Sequence, residues 1–385
     1  MEGRKTLLTI ETLNAFLKSC KQRVGEYGTK RPNLKFVMGN CTADMDSVVG
    51  STLLAYQLSL QYQKSYIPVI NTSREELPAR IEINHLLETC KVSSEDLIFW
   101  PEVYPTIKEI SDTSDEPFIV LFDHCILETE KEYLSPFVEL IVDHHVTSEK
   151  TPQNCEKQIE LIGSATTFVA ERFLNMTDFQ INEKLSTLMG SPILIDCINF
   201  PESLKGTRWK EKDLAIYNSL ATQSDPKLDD EYFDILNAIK FDEEKNIALG
   251  LQQNLRKDYK KFLVNGKMIG YSAILAPIEK VIRAAEPEFE DTLKGYYETQ
   301  DLSALLLLSN FWDSDKKQCR EILVYSPEEA LNETIFAALD KGGCEMKKKS
   351  LSNPSSNMLF SQQGNVKFSR KQVEPLVRKV FEEIQ

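Results

Sequence analysis

Between residue 34 and about residue 200 the chain alternates short apolar runs with amphipathic stretches, and this alternation limits the fold more than any other feature. LKFVM, YIPVI, DLIFW, FIVLF and ELIVD read as strands, while Ser47 to Gln63 and Leu77 to Cys90 read as helices between them. Strands that are apolar at nearly every position are covered on both faces, the condition of a parallel sheet with helices above and below it. The expected fold class is α/β, with an N-terminal doubly wound, mainly parallel sheet. Ligands of such sheets bind beyond the carboxyl ends of the strands.

Those strand ends carry one kind of chemistry. FIVLF ends in Asp123-His124, ELIV ends in Asp143-His144-His145, and LKFVM ends in Gly39-Asn40, followed by Asp44 and Asp46. A polar turn with a helix cap would account for Asp44 or Asp46 singly. Carboxylates crowded together raise one another's pKa unless a cation lies between them, so the cluster points to a divalent ion. Gly163-Ser164-Ala165-Thr166-Thr167 precedes the helical FVAERFLNM, with Ser164 as a cap and backbone N–H groups suited to an anion. A further helix, from about Asn182 to Asn199, carries Asp196 in the apolar SPILIDCINF. A lone carboxylate there is costly unless it is paired or coordinating.

At 385 residues the chain is long enough for two cores. Its 42% hydrophobic and 27% charged residues are those of an ordinary globular protein. The most apolar run, SALLLLSNF at 303–311, is too short to span a bilayer and reads as a buried strand. MEGRKTLLTIETLNAF has early acidic residues and no long apolar core, so no signal peptide is expected. Eight cysteines stand singly, without a Cys-x-x-Cys pair, which suits a reducing compartment and a cytoplasmic location. The net charge of −14 argues against nucleic acid as a partner. No membrane partner and a monomeric state are expected.

Beyond Asn199 the sequence turns polar through KGTRWKEKD and TQSDPKLDDEY. The domain reading is 1–204 for the metal-binding part, 205–235 for connecting helices, and 236–385 for a smaller, mixed α/β C-terminal domain. In the last, LRKDYKKFLVNGKMIGYSAIL places Asn-Gly between two strand-like runs, a hairpin signal. A final helix is expected from about Arg370 to Glu383.

GNCTADMDS, FDH, VDHH and LIDC, in this order and followed by a basic C-terminal domain, resemble the DHH phosphoesterases with their DHHA2-like second domain. Within that superfamily the chain resembles the fungal cytosolic exopolyphosphatases, which are related to the family II inorganic pyrophosphatases and prune-type proteins. The resemblance implies two divalent ions, Mg²⁺, Mn²⁺ or Co²⁺. Asn40, Asp44 and Asp123 would face one; Asp46, Asp123, His144 and Asp196 would face the other. It further implies catalytic roles for Asp123, for His145 on the substrate side and for Asp143 as its orienting partner. Lys260 in KDYK, with Arg370 and Lys371 in SRKQ, would grip phosphate. The implied reaction is removal of orthophosphate from the end of linear inorganic polyphosphate by a metal-activated water, the two domains closing over the chain end. Asn40 stands where the pyrophosphatases usually have histidine, which favours polyphosphate over pyrophosphate. A pyrophosphatase, a short-nucleotide phosphodiesterase and a weakly active, partner-binding prune-like protein are the alternatives. His85 reads as packing and Lys347 to Lys349 as a solvated face or an approach path.

Overall fold

The structure is a computed structural model and describes residues 5–350 and 357–383. Residues 1–4, the start of the stretch read against a signal peptide, lie outside them. The chain divides into two compact units, one of residues 1–78 and 82–237 and one of 79–81 and 238–385. No helix among the described residues is long and apolar enough to cross a membrane.

The first unit is built on a five-stranded sheet whose strands pair only in parallel. In spatial order they are Ser65–Val69, Leu34–Met38, Ile119–Phe122, Val138–Asp143 and Glu156–Ile159. Alternate residues of each strand enter different cores: Val37, Val120, Phe122 and Val142 pack on one face, and Phe36, Met38, Ile119, Leu121 and Ile141 on the other. Both faces are therefore covered, as the near-continuous apolar runs required. In chain order the sheet reads 2-1-3-4-5, so its topological switch point lies between Leu34–Met38 and Ile119–Phe122. In sheets of this kind the ligand crevice lies there, beyond the carboxyl ends of the two strands.

Two expectations need correction. DLIFW makes only an isolated bridge, Ile70 to Phe99, before the Trp100–Thr113 helix begins, so its apolar residues are core without being a strand. The segment 205–235 does contain helices, Glu211–Ala221 and the start of Asp230–Lys240, but it is not a linker. Trp209, Tyr217, Leu220, Leu228 and Tyr232 are buried in the first unit's main core. Its polar sequence describes only the outer faces of those helices.

The second unit is a mixed sheet, ordered Met346–Lys349, Met358–Gln363, Gln318–Tyr325, Ala304–Ser309, Lys267–Ile274 and Tyr259–Val264. Ala304–Ser309 and Lys267–Ile274 pair in parallel and the other neighbours antiparallel. The expected hairpin joins its last two strands through Asn265 and Gly266, both in the left-handed region at φ 47° and 73°, as a two-residue loop matched to strand twist requires. The Arg370–Glu383 helix closes one face through Val373, Val377 and Phe381.

Candidate metal centre at the sheet switch point

Asp123 follows the Ile119–Phe122 strand directly, with its backbone in the left-handed region at φ 61°. Asp tolerates that conformation better than most residues, at a cost of about 1–2 kcal/mol. The turn aims a carboxylate that is 2% exposed into the crevice. His144 Nε2 lies 3.2 Å from Asp123 Oδ1 and 3.9 Å from Asp46 Oδ2. Its other nitrogen donates to Ile162 O at 3.1 Å, which fixes the ring and keeps Nε2 toward the carboxylates. Ligand atoms of Asp123, His144 and His145 all lie within 4.8 Å of one another.

Electrostatics reflect that crowding. Burial, then Asp46 and Asp44, push the Asp123 pKa well above the carboxylate range. Burial alone would lower the His144 pKa, but Asp123, Asp46 and Asp196 raise it to about 10. Without a metal, that shift favours the imidazolium as the cation among the carboxylates. The same geometry would hold a metal ion once that proton is lost.

Asp46 is anchored from the opposite side. Its Oδ1 accepts from Ser164 Oγ at 2.8 Å and Thr166 N at 2.7 Å, and its Oδ2 accepts from Ala165 N at 2.8 Å. The N–H groups that the sequence offered to an anion are thus taken by this side chain, at the start of the Thr166–Leu174 helix. A lone pair of Oδ2 remains on the side facing His144. Asp44 is exposed and caps the Met45–Tyr62 helix, accepting from Ser47 N at 3.0 Å. The helix-cap reading therefore holds for it while its charge still acts on Asp123. Asp196 ends the Glu183–Asp196 helix, just before Ile198, Asn199 and Phe200, all at positive φ. Left-handed backbone is costly for a β-branched residue such as Ile198, and such strain concentrates where a site demands it.

Asn40 reaches the cluster through its amide. Its Oδ1 accepts from Thr42 N at 2.9 Å and Ala43 N at 3.1 Å, which fixes the amide orientation because backbone N–H groups cannot donate to an NH2. The Nδ2 therefore donates to Asp123 Oδ2. The carbonyl oxygen that the resemblance offers to a cation is bonded within its own turn in this structure. Asp143 is 0% exposed, and its Oδ1 accepts from His144 N at 2.7 Å and His145 Nδ1 at 2.8 Å, the contacts of an orienting partner. Burial works against its charge, yet His145 holds its pKa down at about 2. With Nδ1 committed, His145 presents Nε2 outward from a half-exposed ring. His124 is turned away, donating from Nδ1 to Phe122 O at 3.0 Å.

In the second unit, Arg370 NH1 donates to Asp258 O at 3.0 Å and Oδ1 at 3.1 Å. Desolvation opposes the Asp258 charge, but Arg370, Lys260 and Lys240 hold its pKa below the usual value. Lys260 and Arg370 thus gather about an acidic residue that the sequence reading passed over, and Lys371 follows Arg370 in the chain. Lys348 and Lys349 form ion pairs with Glu333 and Glu321 at 2.9 and 3.0 Å.

Residues 241–380 match the DHHA2 domain, and the fold of the first unit carries the DHH motifs at its switch point. The second unit thus carries a DHHA2 domain, and the chain as a whole is similar to DHH-type proteins. It is 27% identical over 374 residues to rat Exopolyphosphatase PRUNE1, covering 95% of this chain and 78% of that one. The human protein of that name is 27% identical over 375 residues, with 95% and 79% covered. A Schizosaccharomyces pombe protein named as a candidate exopolyphosphatase is 28% identical over 368 residues, 90% of either chain. In fold it is similar to a Methanococcus jannaschii protein described as a candidate family II inorganic pyrophosphatase, with a TM-score of 0.59 and 18% identity, covering 91% of this chain and 99% of that one.

Proposed function

We propose that this chain is a metal-dependent hydrolase that removes orthophosphate from the end of linear inorganic polyphosphate. The observation that carries the reading is the convergence of Asp123, His144 and His145 ligand atoms within 4.8 Å at the sheet switch point. The exopolyphosphatase names of the relatives support hydrolysis of a phosphoanhydride bond. On this reading Asp46, Asp123, His144 and Asp196 hold one divalent ion, and Asp44 and Asp123 hold a second. Donors that are mainly oxygen, with one imidazole, suit Mg²⁺, Mn²⁺ or Co²⁺. When bound, such ions lower the pKa of water and offset charge on the phosphoryl group.

The chain's own groups do the rest. Asn40, bonded to Asp123, fixes the rotamer of that carboxylate. His145 offers Nε2 to an oxygen of the terminal phosphate and can give or take a proton there, with Asp143 holding the ring. Lys260, Arg370 and Lys371 take the following phosphates, lysine as a mobile charge and arginine through guanidinium nitrogens other than NH1. A cytoplasmic location belongs to the same proposal, since eight singly spaced cysteines suit a reducing compartment.

The surrounding carboxylates push the His144 pKa up to about 10 without a metal, so ligation is expected to release a proton. Mn²⁺ affinity is therefore expected to fall by ~10-fold for each pH unit lost between about pH 8 and 6, one proton per unit, measured by calorimetry in buffers of different ionisation enthalpy. Affinity independent of pH with no proton release would remove His144 from the ligand set. The functional reading is tested with a panel of long polyphosphate, tripolyphosphate and pyrophosphate, each with Mg²⁺, Mn²⁺ and Co²⁺. Preference for the long chain is expected; hydrolysis of pyrophosphate alone would assign the other enzyme class.

A further inference from the structure

The turn 163–167 donates hydrogen bonds to two buried carboxylates at once. Ser164 Oγ, Ala165 N and Thr166 N go to Asp46. Gly163 N goes to Asp213 Oδ2 at 2.8 Å, and Thr167 Oγ1 goes to Asp213 Oδ1 at 2.7 Å. Asp213 is 0% exposed and lies in the first turn of the Glu211–Ala221 helix, where its Oδ2 also accepts from Lys210 N at 2.8 Å. Its oxygens thus serve the helix start and both ends of the turn. Space is as closely used as hydrogen bonds: a Cβ on Gly163 would run into Cys197 Sγ and sit 2.9 Å from Arg208 O.

The geometry points to Asp213 as a positioning residue of the metal centre, acting through the 163–167 turn on the rotamer of Asp46. The inference rests on the reading that Asp46 holds a cation. A carboxylate that accepts from rigid backbone N–H groups has one direction left for its remaining lone pair, and that direction is set by where the turn stands. Asp213 fixes the turn from the side opposite Asp46, so loosening it lets Asp46 swing from its orientation toward His144. Partners that orient metal ligands typically contribute a factor of ~10–100 in metal affinity.

Asp213→Ala removes both accepting oxygens, so that Gly163 N, Lys210 N and Thr167 Oγ1 all lose their partner. Thr167→Val removes one bond and leaves the helix start intact; Thr167→Ser keeps it. Mn²⁺ binding is measured by electron paramagnetic resonance of the 385-residue chain, with circular dichroism and the urea unfolding midpoint as controls. Asp213→Ala is expected to weaken Mn²⁺ binding by ~10-fold or more. Thr167→Val should weaken it by a smaller factor and Thr167→Ser restore it. Should Asp213→Ala not fold, the Thr167 pair decides alone. Wild-type Mn²⁺ affinity in a folded Asp213→Ala, or in a folded Thr167→Val, would overturn the inference. Asp46→Asn separates the two levels: unchanged Mn²⁺ binding in that variant would overturn the metal-site reading itself, whereas loss there with no effect at Thr167 would overturn only the role of Asp213.

Discussion

Asp123→Asn is expected to abolish orthophosphate release and weaken Mn²⁺ binding at least ~100-fold, beyond what outer partners of a ligand typically contribute, while leaving the metal-free protein as stable as wild type or more so. The first half follows from position, because Asp123 faces His144 and stands among the other acidic residues at the switch point. The second follows from charge. Its pKa lies well above the carboxylate range, so burial and the repulsion of Asp46 and Asp44 outweigh the attraction of His144. A group whose folded-state pKa is raised in this way destabilises the metal-free fold as pH rises through that pKa. Asparagine removes the charge, suits the left-handed backbone at φ 61° and can still accept from Asn40. Thermal unfolding in the presence of a chelator, with Mn²⁺ calorimetry, checks both halves. A variant that binds Mn²⁺ like wild type would remove the cation centre, and a marked loss of metal-free stability would recast Asp123 as the structural partner of His144.

Replacing both Arg370 and Lys371 with Gln is expected to raise the KM for long polyphosphate by ~10-fold or more, since a hydrogen bond to a charged group is worth about 1.5–3 kcal/mol. Mn²⁺ affinity should stay as in wild type, because the metal ligands of the proposal all lie in the first unit and these cations in the second. The Asp258 contact sharpens this expectation. Arg370 is already held at NH1, so its guanidinium starts out oriented and less freedom is lost when phosphate arrives. Steady-state kinetics on long polyphosphate and on tripolyphosphate would show the KM effect falling on both. A collapse of metal affinity with KM unchanged would show that the roles have been assigned the wrong way round.

Much of the fold was legible because burial on both faces leaves a mark that alternation on one face does not. LKFVM, FIVLF and ELIVD are strands for that reason, and the acidic residues beyond them mark the crevice. Polar strands escaped the same reasoning. Glu156–Ile159 is an edge strand with exposed glutamate and lysine, and Met346–Lys349 is a run of lysines at the margin of the second sheet. Composition also concealed the Glu211–Ala221 helix, whose charged outer face suggests a linker although Tyr217 and Leu220 lie in the core. Asp213 was missed for the same reason. Its spacing from Lys210 is that of an ordinary helix start, and only the fold brings Gly163 and Thr167 to it.

Asn40 illustrates a different limit. Residue type and place put it in the crevice correctly, but which end of an amide faces a neighbour depends on backbone donors two and three residues along the chain. No spacing rule contains that information. The carboxylates are less ambiguous, since either oxygen can serve, and so their grouping follows from the motifs more directly than their partners do.

On the proposed function, the switch-point cluster uses divalent ions to cut phosphate from a chain end. The most direct test follows orthophosphate release and the length distribution of long polyphosphate together, with purified protein and Mn²⁺, Mg²⁺ or Co²⁺, against a chelator control. Release that depends on the metal, with orthophosphate as the only small product from the outset, is the result expected. Chains cut internally into mid-sized fragments, or no release above the chelator control with any of the three ions, would contradict it.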